Sequence, residues 1–289
     1  MDAPELTATR NAEPFRLAIG AGAGPIGVLV TPSGDCRPQL MLIEAWAREL
    51  GLETVDLGTS AEPADGDAAC ELIIALGGDG TILRALQLAM ANHAAVLGVN
   101  FGTVGFLADV GRADLQSALD TLGRGEATVD ARTALIATLR TEPMTRAIAF
   151  NDVVITRRPG FGTARLTIAI GGEHLLALNG DGVVVASPMG STAYTVGAGG
   201  PAVAPTLDAI VITPLATQGS PLRSLVVDGS DSVTIDLQPV SAPVTVELDG
   251  RTSLDMPASA AVEIHAAPRK ARLVRTRPRT FYRDLAARI

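Results

Sequence analysis

The chain reads as an α/β N-terminal domain on a parallel sheet, followed by a β-rich, sandwich-like C-terminal domain. Three observations predict this. Strand-sized apolar runs alternate with helical periodicity up to about residue 125, as βαβ units do. Beyond about residue 129 the texture becomes short alternating segments separated by Gly, Pro and Asp turns. Finally, 289 residues at 47% hydrophobic and 19% charged suffice for two ordinary domains, and exclude a disordered or collagen-like chain.

In order, residues 1–15 lack periodicity and are expected to be a loose tail. Residues 16–128 form the α/β domain. Its strands are placed at 26–31, 53–57, 71–76 and 96–99, and its helices near 37–50 and 81–91. The first helix is set by the apolar spacing of Leu40, Ile43, Trp46, Ala47 and Leu50. Residues 129–279 form the β-rich domain, with strands expected at 134–140, 147–156, 164–170, 182–186, 209–213, 224–227, 232–237, 244–248 and 261–265. A helix over 280–289 closes the chain.

Composition excludes several classes of function. No apolar run approaches the roughly 20 residues that span a bilayer, and the first residues lack a signal peptide's basic and apolar regions. Two cysteines, Cys36 and Cys70, cannot make a disulfide framework, so a reducing cytoplasm is expected. A net charge of -8 disfavours nucleic acid, although eight basic residues stand against Asp284 alone between His265 and Ile289. Lys270 is the only lysine, and it lies in neither a Walker A loop nor a Schiff-base setting. His93, His174 and His265 are isolated, which argues against a dedicated zinc site.

A formal Gly-x-Gly-x-x-Gly at Gly22, Gly24 and Gly27 is set aside, because Pro25 interrupts it and a strand follows instead of a helix. The strongest chemical signal is Gly77-Gly78-Asp79-Gly80-Thr81, where an apolar strand ends and a helix begins. Glycines there let the backbone approach a phosphate, and the helix N-terminus supplies unpaired N–H donors. A carboxylate in such a loop is repulsive to phosphate unless it binds a metal or accepts a proton from an attacking hydroxyl. A second signal runs from Asn179 through Asp181 and Ser187 to Met189, Gly190, Ser191, Thr192, Ala193 and Tyr194, and on to Gly197. It gathers hydroxyls and N–H groups beside an aromatic ring after a buried strand. The third is Asn151-Asp152 before an apolar strand, a pair able to grip ribose hydroxyls or a base edge.

These segments, with Leu97-Gly98-Val99-Asn100-Phe101 and Gly105-Phe106-Leu107 between them, resemble the NAD kinase family over about residues 26–289. The resemblance implies phosphoryl transfer from ATP or polyphosphate to the adenosine-ribose 2′-hydroxyl of NAD. It also implies a divalent metal such as Mg2+ without dedicated protein ligands, and a homodimer or homotetramer. It implies that Asp79 deprotonates or orients the hydroxyl. Gly77, Gly78, Gly80, Thr81 and Arg84 would then meet phosphate, and Asn151 and Asp152 would hold adenosine and ribose. Asn100, Phe101, Asp181, Ser187 and Met189 would line the dinucleotide pocket, with Thr192, Ala193, Tyr194, Gly197 and Arg251. Three positions depart from the family pattern: Asp152 replaces Glu, Met189 replaces Thr or Ser, and Asp249-Gly250-Arg251 replaces Asp-Gly-Gln. Those departures keep two other readings in view. One is a kinase with a shifted acceptor (NADH, another nucleotide or nucleoside, or a lipid alcohol); the other is a dinucleotide sensor without turnover.

Overall fold

The computed structural model describes residues 12–19, 23–32, 34–60, 70–101, 105–108, 110–219, 222–278 and 281–286. They fall into two compact units, one made of Met1–Ala131 with Ala271–Ile289, the other of Arg132–Lys270.

In the first unit the elements follow as β1 (Glu13–Pro14), β2 (Ile26–Val30), α1 (Arg37–Glu49), β3 (Thr54–Thr59), β4 (Leu72–Leu76) and α2 (Asp79–Asn92). Then come β5 (Ala95–Asn100), β6 (Val110–Gly111), α3 (Leu115–Gly123) and β7 (Thr128–Arg132). β4 and β5 are buried at every residue, which is why both read as unbroken apolar runs. The sheet order is β1-β7-return strand-β5-β4-β2-β3, with β6 also on β5 and the return strand formed by Ala271–Arg275. Pairings among β2, β3, β4, β5, β6 and the return strand are parallel. β1 runs antiparallel to β7, so the sheet is mixed.

β2 has β3 on one side and β4 on the other. Such a reversal of strand order leaves a crevice at the carboxyl ends of the two strands. The chain leaving β4 enters the glycine loop at that position, where the Thr31 N–H donates to the Leu76 carbonyl and the Gly77 N–H to Val99. Gly27, by contrast, lies inside β2, where an added Cβ would strike the side chains of Leu57 and Cys70. Its glycine answers to strand packing, and Gly22 of the formal fingerprint falls outside the described residues.

Two ends differ from the sequence reading. Within the expected loose tail, Glu13 and Pro14 pair with β7 and Phe15 is 2% exposed, while residues 1–11 lie outside the described set. The β-rich unit ends at Lys270, not at residue 279. The reason is pairing: Arg272 and Leu273 align with Ala95 and Val96 on β5, and Leu273 and Val274 are fully buried in the first unit. The terminal helix is described over Phe281–Ala286.

The second unit contains β8 (Leu135–Leu139), β9 (Thr145–Ala149), β10 (Asp152–Arg157), β11 (Ala164–Ile170), β12 (Glu173–Gly180) and β13 (Gly182–Ala186). A 3-10 turn (Gly190–Thr192) and α4 (Tyr194–Gly197) follow, then β14 (Ala209–Leu215), β15 (Leu225–Asp228), β16 (Ser232–Leu237), β17 (Val244–Leu248), β18 (Thr252–Met256) and β19 (Ala261–Ala266). They form two antiparallel six-stranded sheets, ordered β15-β14-β13-β10-β17-β18 and β12-β11-β16-β19-β8-β9. One apolar core holds residues of both, including Val153, Val185 and Ile212 from one sheet with Leu166, Ile235 and Ile264 from the other. This is the expected sandwich. The expected strand at 147–156 is in fact two strands in different sheets, β9 and β10, bent apart at Phe150 and Asn151.

Leu273→Ala should lower unfolding free energy by about 2–5 kcal/mol, whereas Val240→Ala at an exposed position should stay within about 0.5 kcal/mol. Urea titration reads both. A cost below about 1 kcal/mol for Leu273→Ala would take the return strand out of the first unit's core.

Candidate functional site

The glycine loop of the first unit is built around one side chain. Gly78 caps α2 in an extended conformation, and a Cβ there would meet nothing within 4 Å among the described residues. Gly77 is the opposite case, since its Cβ would lie 2.3 Å from the Thr81 hydroxyl and 3.1 Å from Thr31. Gly77 closes the turn and Gly78 leaves its outer side open. Asp79 follows in the first turn of α2, where a negative group interacts favourably with the helix dipole. Its two carboxylate oxygens accept separate main-chain bonds, Oδ2 from the Phe106 N–H at 3.0 Å and Oδ1 from the Leu107 N–H at 3.2 Å. Gly105 permits this approach, because any Cβ there would sit 1.8 Å from Oδ1.

Other expected phosphate or dinucleotide residues of this unit lie nearby in sequence, with differing surroundings. Thr81 is buried, Gly80 is half-buried, and Arg84 donates to the Gln87 side chain at 3.1 Å. Asn100 is buried at the end of β5. Phe101 carries the Arg112 guanidinium 3.9 Å above its ring.

The second unit gathers most of its expected residues at one end of β10 and β13. Asp249, in the turn joining β17 to β18, accepts the N–H groups of Phe150 at 2.9 Å, Asn151 at 2.7 Å and Asp152 at 3.2 Å. Both Asp249 (φ 51°) and Gly250 (φ 65°) are left-handed, which aims that carboxylate back under the bend. With their N–H groups turned to Asp249, residues 150–152 cannot all serve a strand ladder, and this divides β9 from β10. Ser187 locks the same bend, donating from Oγ to the Phe150 carbonyl at 2.5 Å while its N–H reaches Asn151 at 2.9 Å. Gly190 lies so close that a Cβ would be 1.9 Å from the Asn151 carbonyl. The Tyr194 N–H donates to the Asp152 carboxylate.

Tyr194 is 48% exposed, with Ala193 and Gly197 exposed beside it; Thr192 is half-buried and bonds the Met189 carbonyl at 3.3 Å. The Met189 side chain is buried at 7% exposure, so the substitution of Thr or Ser there fills the interior. Arg251 is exposed in the Asp249 turn. Asp181 stands apart from the Thr192–Tyr194 turn: it precedes β13 at the end away from Ser187, roughly 17 Å along a five-residue strand, and is ion-paired with Arg157 at 2.5 Å. Three features escaped the sequence reading of the site: the Phe106 and Leu107 amides on Asp79, the contact geometry of Gly190, and Asp249. The last was visible as an Asp-Gly turn, a signal that names a turn without saying what its carboxylate accepts.

Asp152 is 4% exposed, and burial together with the neighbouring Asp249 carboxylate pushes its pKa up to about 7; burial also raises Asp249. Among the described residues, no group of three or more His, Cys, Asp or Glu side chains is arranged to hold a metal ion.

A raised carboxyl keeps its proton in the folded state after the unfolded chain has lost it. Stability is therefore full below about pH 4 and declines as pH rises toward 7, by up to about 1.4 kcal/mol per pH unit for Asp152. Asp152→Asn should flatten that slope in urea melts at pH 5, 6 and 7. An equally steep slope in the variant would assign the proton elsewhere.

Comparison with known proteins identifies the family. The family profile described as ATP-NAD kinase N-terminal domain matches residues 55–127, and the one described as ATP-NAD kinase C-terminal domain matches residues 150–276. The chain is 36% identical over 248 residues to the NAD kinase of Rhodococcus erythropolis, covering 84% of this chain and 77% of that one. It is 30% identical over 270 residues to that of Desulforamulus reducens, covering 89% and 94%. In fold it is similar to a yeast NADH kinase solved with NADH, with a TM-score of 0.81 at 21% identity over 92% of this chain and 87% of that one. An NAD kinase from Archaeoglobus fulgidus solved with ATP gives 0.74 at 22% identity over 91% and 97%. With both family domains matched in order and 36% identity over 248 aligned residues to a curated relative, the chain belongs to the NAD kinase family.

Proposed function

We propose that this protein is a phosphotransferase that converts NAD to NADP, with ATP as donor. The observation that carries the reading is Asp79, a carboxylate at the start of α2 whose oxygens are fixed by two main-chain amides beside an open glycine turn. The adenosine-ribose 2′-oxygen forms a bond to the γ-phosphorus as the bond from that phosphorus to the β–γ bridging oxygen breaks. ADP leaves and the hydroxyl proton passes to Asp79. Such a transfer depends on positioning and charge stabilisation. The N–H groups at the head of α2 and the open side of Gly78 suit the phosphates.

In the second unit we assign Asn151, Asp152, Thr192, Ala193 and Tyr194 to the dinucleotide. Support comes from the four hydrogen bonds that Ser187 Oγ and the Asp249 carboxylate make to hold the Phe150–Asp152 bend, which present Asn151 in one conformation. With its pKa raised to about 7, Asp152 is protonated in a substantial fraction of molecules near neutral pH, and in that form it can donate a hydrogen bond as well as accept one. A divalent cation such as Mg2+ would need no protein cage, because it commonly keeps several waters and binds largely through substrate phosphates, and Asp79 keeps its role as proton acceptor. The cation would supply charge neutralisation on the phosphates. The same reading expects a cytoplasmic homodimer or homotetramer of 29.7 kDa subunits, which light scattering would size.

The test is steady-state turnover with ATP and Mg2+ against NAD and NADH, with the phosphorylated position assigned by NMR. NADP should be the main product. Asp79→Asn should lower kcat at least about 100-fold, the contribution expected of a general base, while NAD affinity by calorimetry changes no more than a few-fold. Wild-type turnover in that variant would remove Asp79 from the reaction, and a product other than NADP would reassign the acceptor.

A further inference from the structure

The basic C-terminal segment stands out in the sequence, and its residues do different things. Arg277 is a surface residue, 3.6 Å from Asp114 with both side chains more than half exposed. Arg272 reaches the His93 carbonyl at 3.4 Å and covers the Phe15 ring. Arg275, the last residue of the return strand, is the buried one among the described basic residues of this segment. Its side chain and that of Asp130 are each 7% exposed, and its Nε donates to Asp130 Oδ2 at 2.9 Å.

A buried guanidinium needs its charge matched and its donors used, and Asp130 supplies the charge. A second donor goes elsewhere: Nη1 bonds the main-chain carbonyl of Leu107 at 3.1 Å. Leu107 is the residue whose N–H holds Asp79 Oδ1. Thus one residue is gripped on both of its peptide groups, by Asp79 at its amide and by Arg275 at its carbonyl. With the Phe106 N–H on Oδ2 and no room for a Cβ at Gly105, the placement of the loop sets the placement of the carboxylate.

We propose that Arg275, anchored by Asp130, is a positioning residue for Asp79: it fixes the Leu107 peptide and through it the carboxylate that receives the hydroxyl proton. This rests on the role given to Asp79 above. Arg275 touches no reacting atom, so its loss should slow the chemical step and leave substrate affinity nearly unchanged. A displacement near 1 Å at a reacting group costs on the order of 100-fold in rate.

The test compares the wild-type chain, Arg275→Lys, Asp79→Asn and the double variant, with kcat and KM measured for NAD and ATP and residual product counted by a cycling assay for NADP. Arg275→Lys keeps a cation for Asp130 but lacks the fork that also reaches Leu107. It should lower kcat about 10- to 100-fold with both KM values within about 3-fold, and speed amide hydrogen exchange at Phe106 and Leu107. In the Asp79→Asn background the same change should cost less than about 2-fold, because two residues acting through one carboxylate are not additive. Full additivity, an unchanged kcat, or a loss confined to KM would overturn the proposal. Should Arg275→Lys fail to fold, Asp130→Leu with Arg275→Met replaces the ion pair by apolar groups and still removes the Leu107 contact; the same outcomes apply. If the wild-type chain forms no NADP, the functional reading fails on its own. Hydrogen exchange still decides whether Arg275 holds the loop, and unchanged exchange at Leu107 would overturn the inference without any turnover.

Discussion

A carboxylate that is to work beside phosphates must point in one direction, and a short aspartate on the first turn of a helix has rotamers to spare. In this protein the Asp79 carboxylate is bracketed by consecutive main-chain amides of Phe106 and Leu107, which the sheet of the first unit brings to it. β4 and β5 lie side by side and in register, so the helix start after β4 and the loop after β5 emerge at the same edge of the sheet. β5 in turn needs a partner on its other side. It finds two, with the return strand beside Ala95 and Val96 and β6 beside Val99 and Asn100. The return strand carries Arg275, so the five residues that complete β5 also supply the guanidinium on the Leu107 carbonyl.

The second unit solves a similar problem with a different donor set. Where a chain must bend between two sheets, its N–H groups lose their ladder, and buried main-chain donors left unpaired cost about 1–3 kcal/mol each. Asp249 takes three of them and Ser187 Oγ satisfies a carbonyl of the same bend. The local cost is a second buried carboxyl beside Asp152, expressed as the upward pKa shift of both. In each unit, then, an aspartate and a run of backbone amides define the geometry, which fits a chain with a single lysine.

How far the sequence revealed this depended on whether burial was written in side chains or in backbone bonds. β4 and β13 are apolar throughout and were legible, as was the glycine turn that must follow β4. β12 was not, because as the edge of its sheet it is largely exposed and reads Glu-His-Leu-Leu-Ala-Leu-Asn-Gly with no clean alternation. The return strand, Ala-Arg-Leu-Val-Arg, was assigned to the β-rich domain, since nothing local says that Leu273 and Val274 pack in a sheet begun about 250 residues earlier. The run 147–156 showed strand character throughout, and only the distant Asp249 divides it. Asp79, Asn151, Asp181, Ser187 and Tyr194 were all singled out from local motifs; the structure brings Asn151 and Ser187 to one bend and sets Asp181 at the far end of β13, because a motif records neighbours in sequence and not the direction in which a strand carries them.

The interruption of the first unit also sets an order of events during synthesis. Residues 132–270 are contiguous, so every strand of both sandwich sheets has left the ribosome once Lys270 is clear of the exit tunnel. The N-terminal sheet is translated first and completed last: β5 keeps an open edge until Arg272 and Leu273 arrive, and the Leu107 carbonyl waits for Arg275 just as long. Domains in most chains fold as they emerge, N-terminal first. Here the first unit departs from that order, because a chain that stopped at Lys270 would hold every sandwich strand and still leave β5 without its return-strand partner.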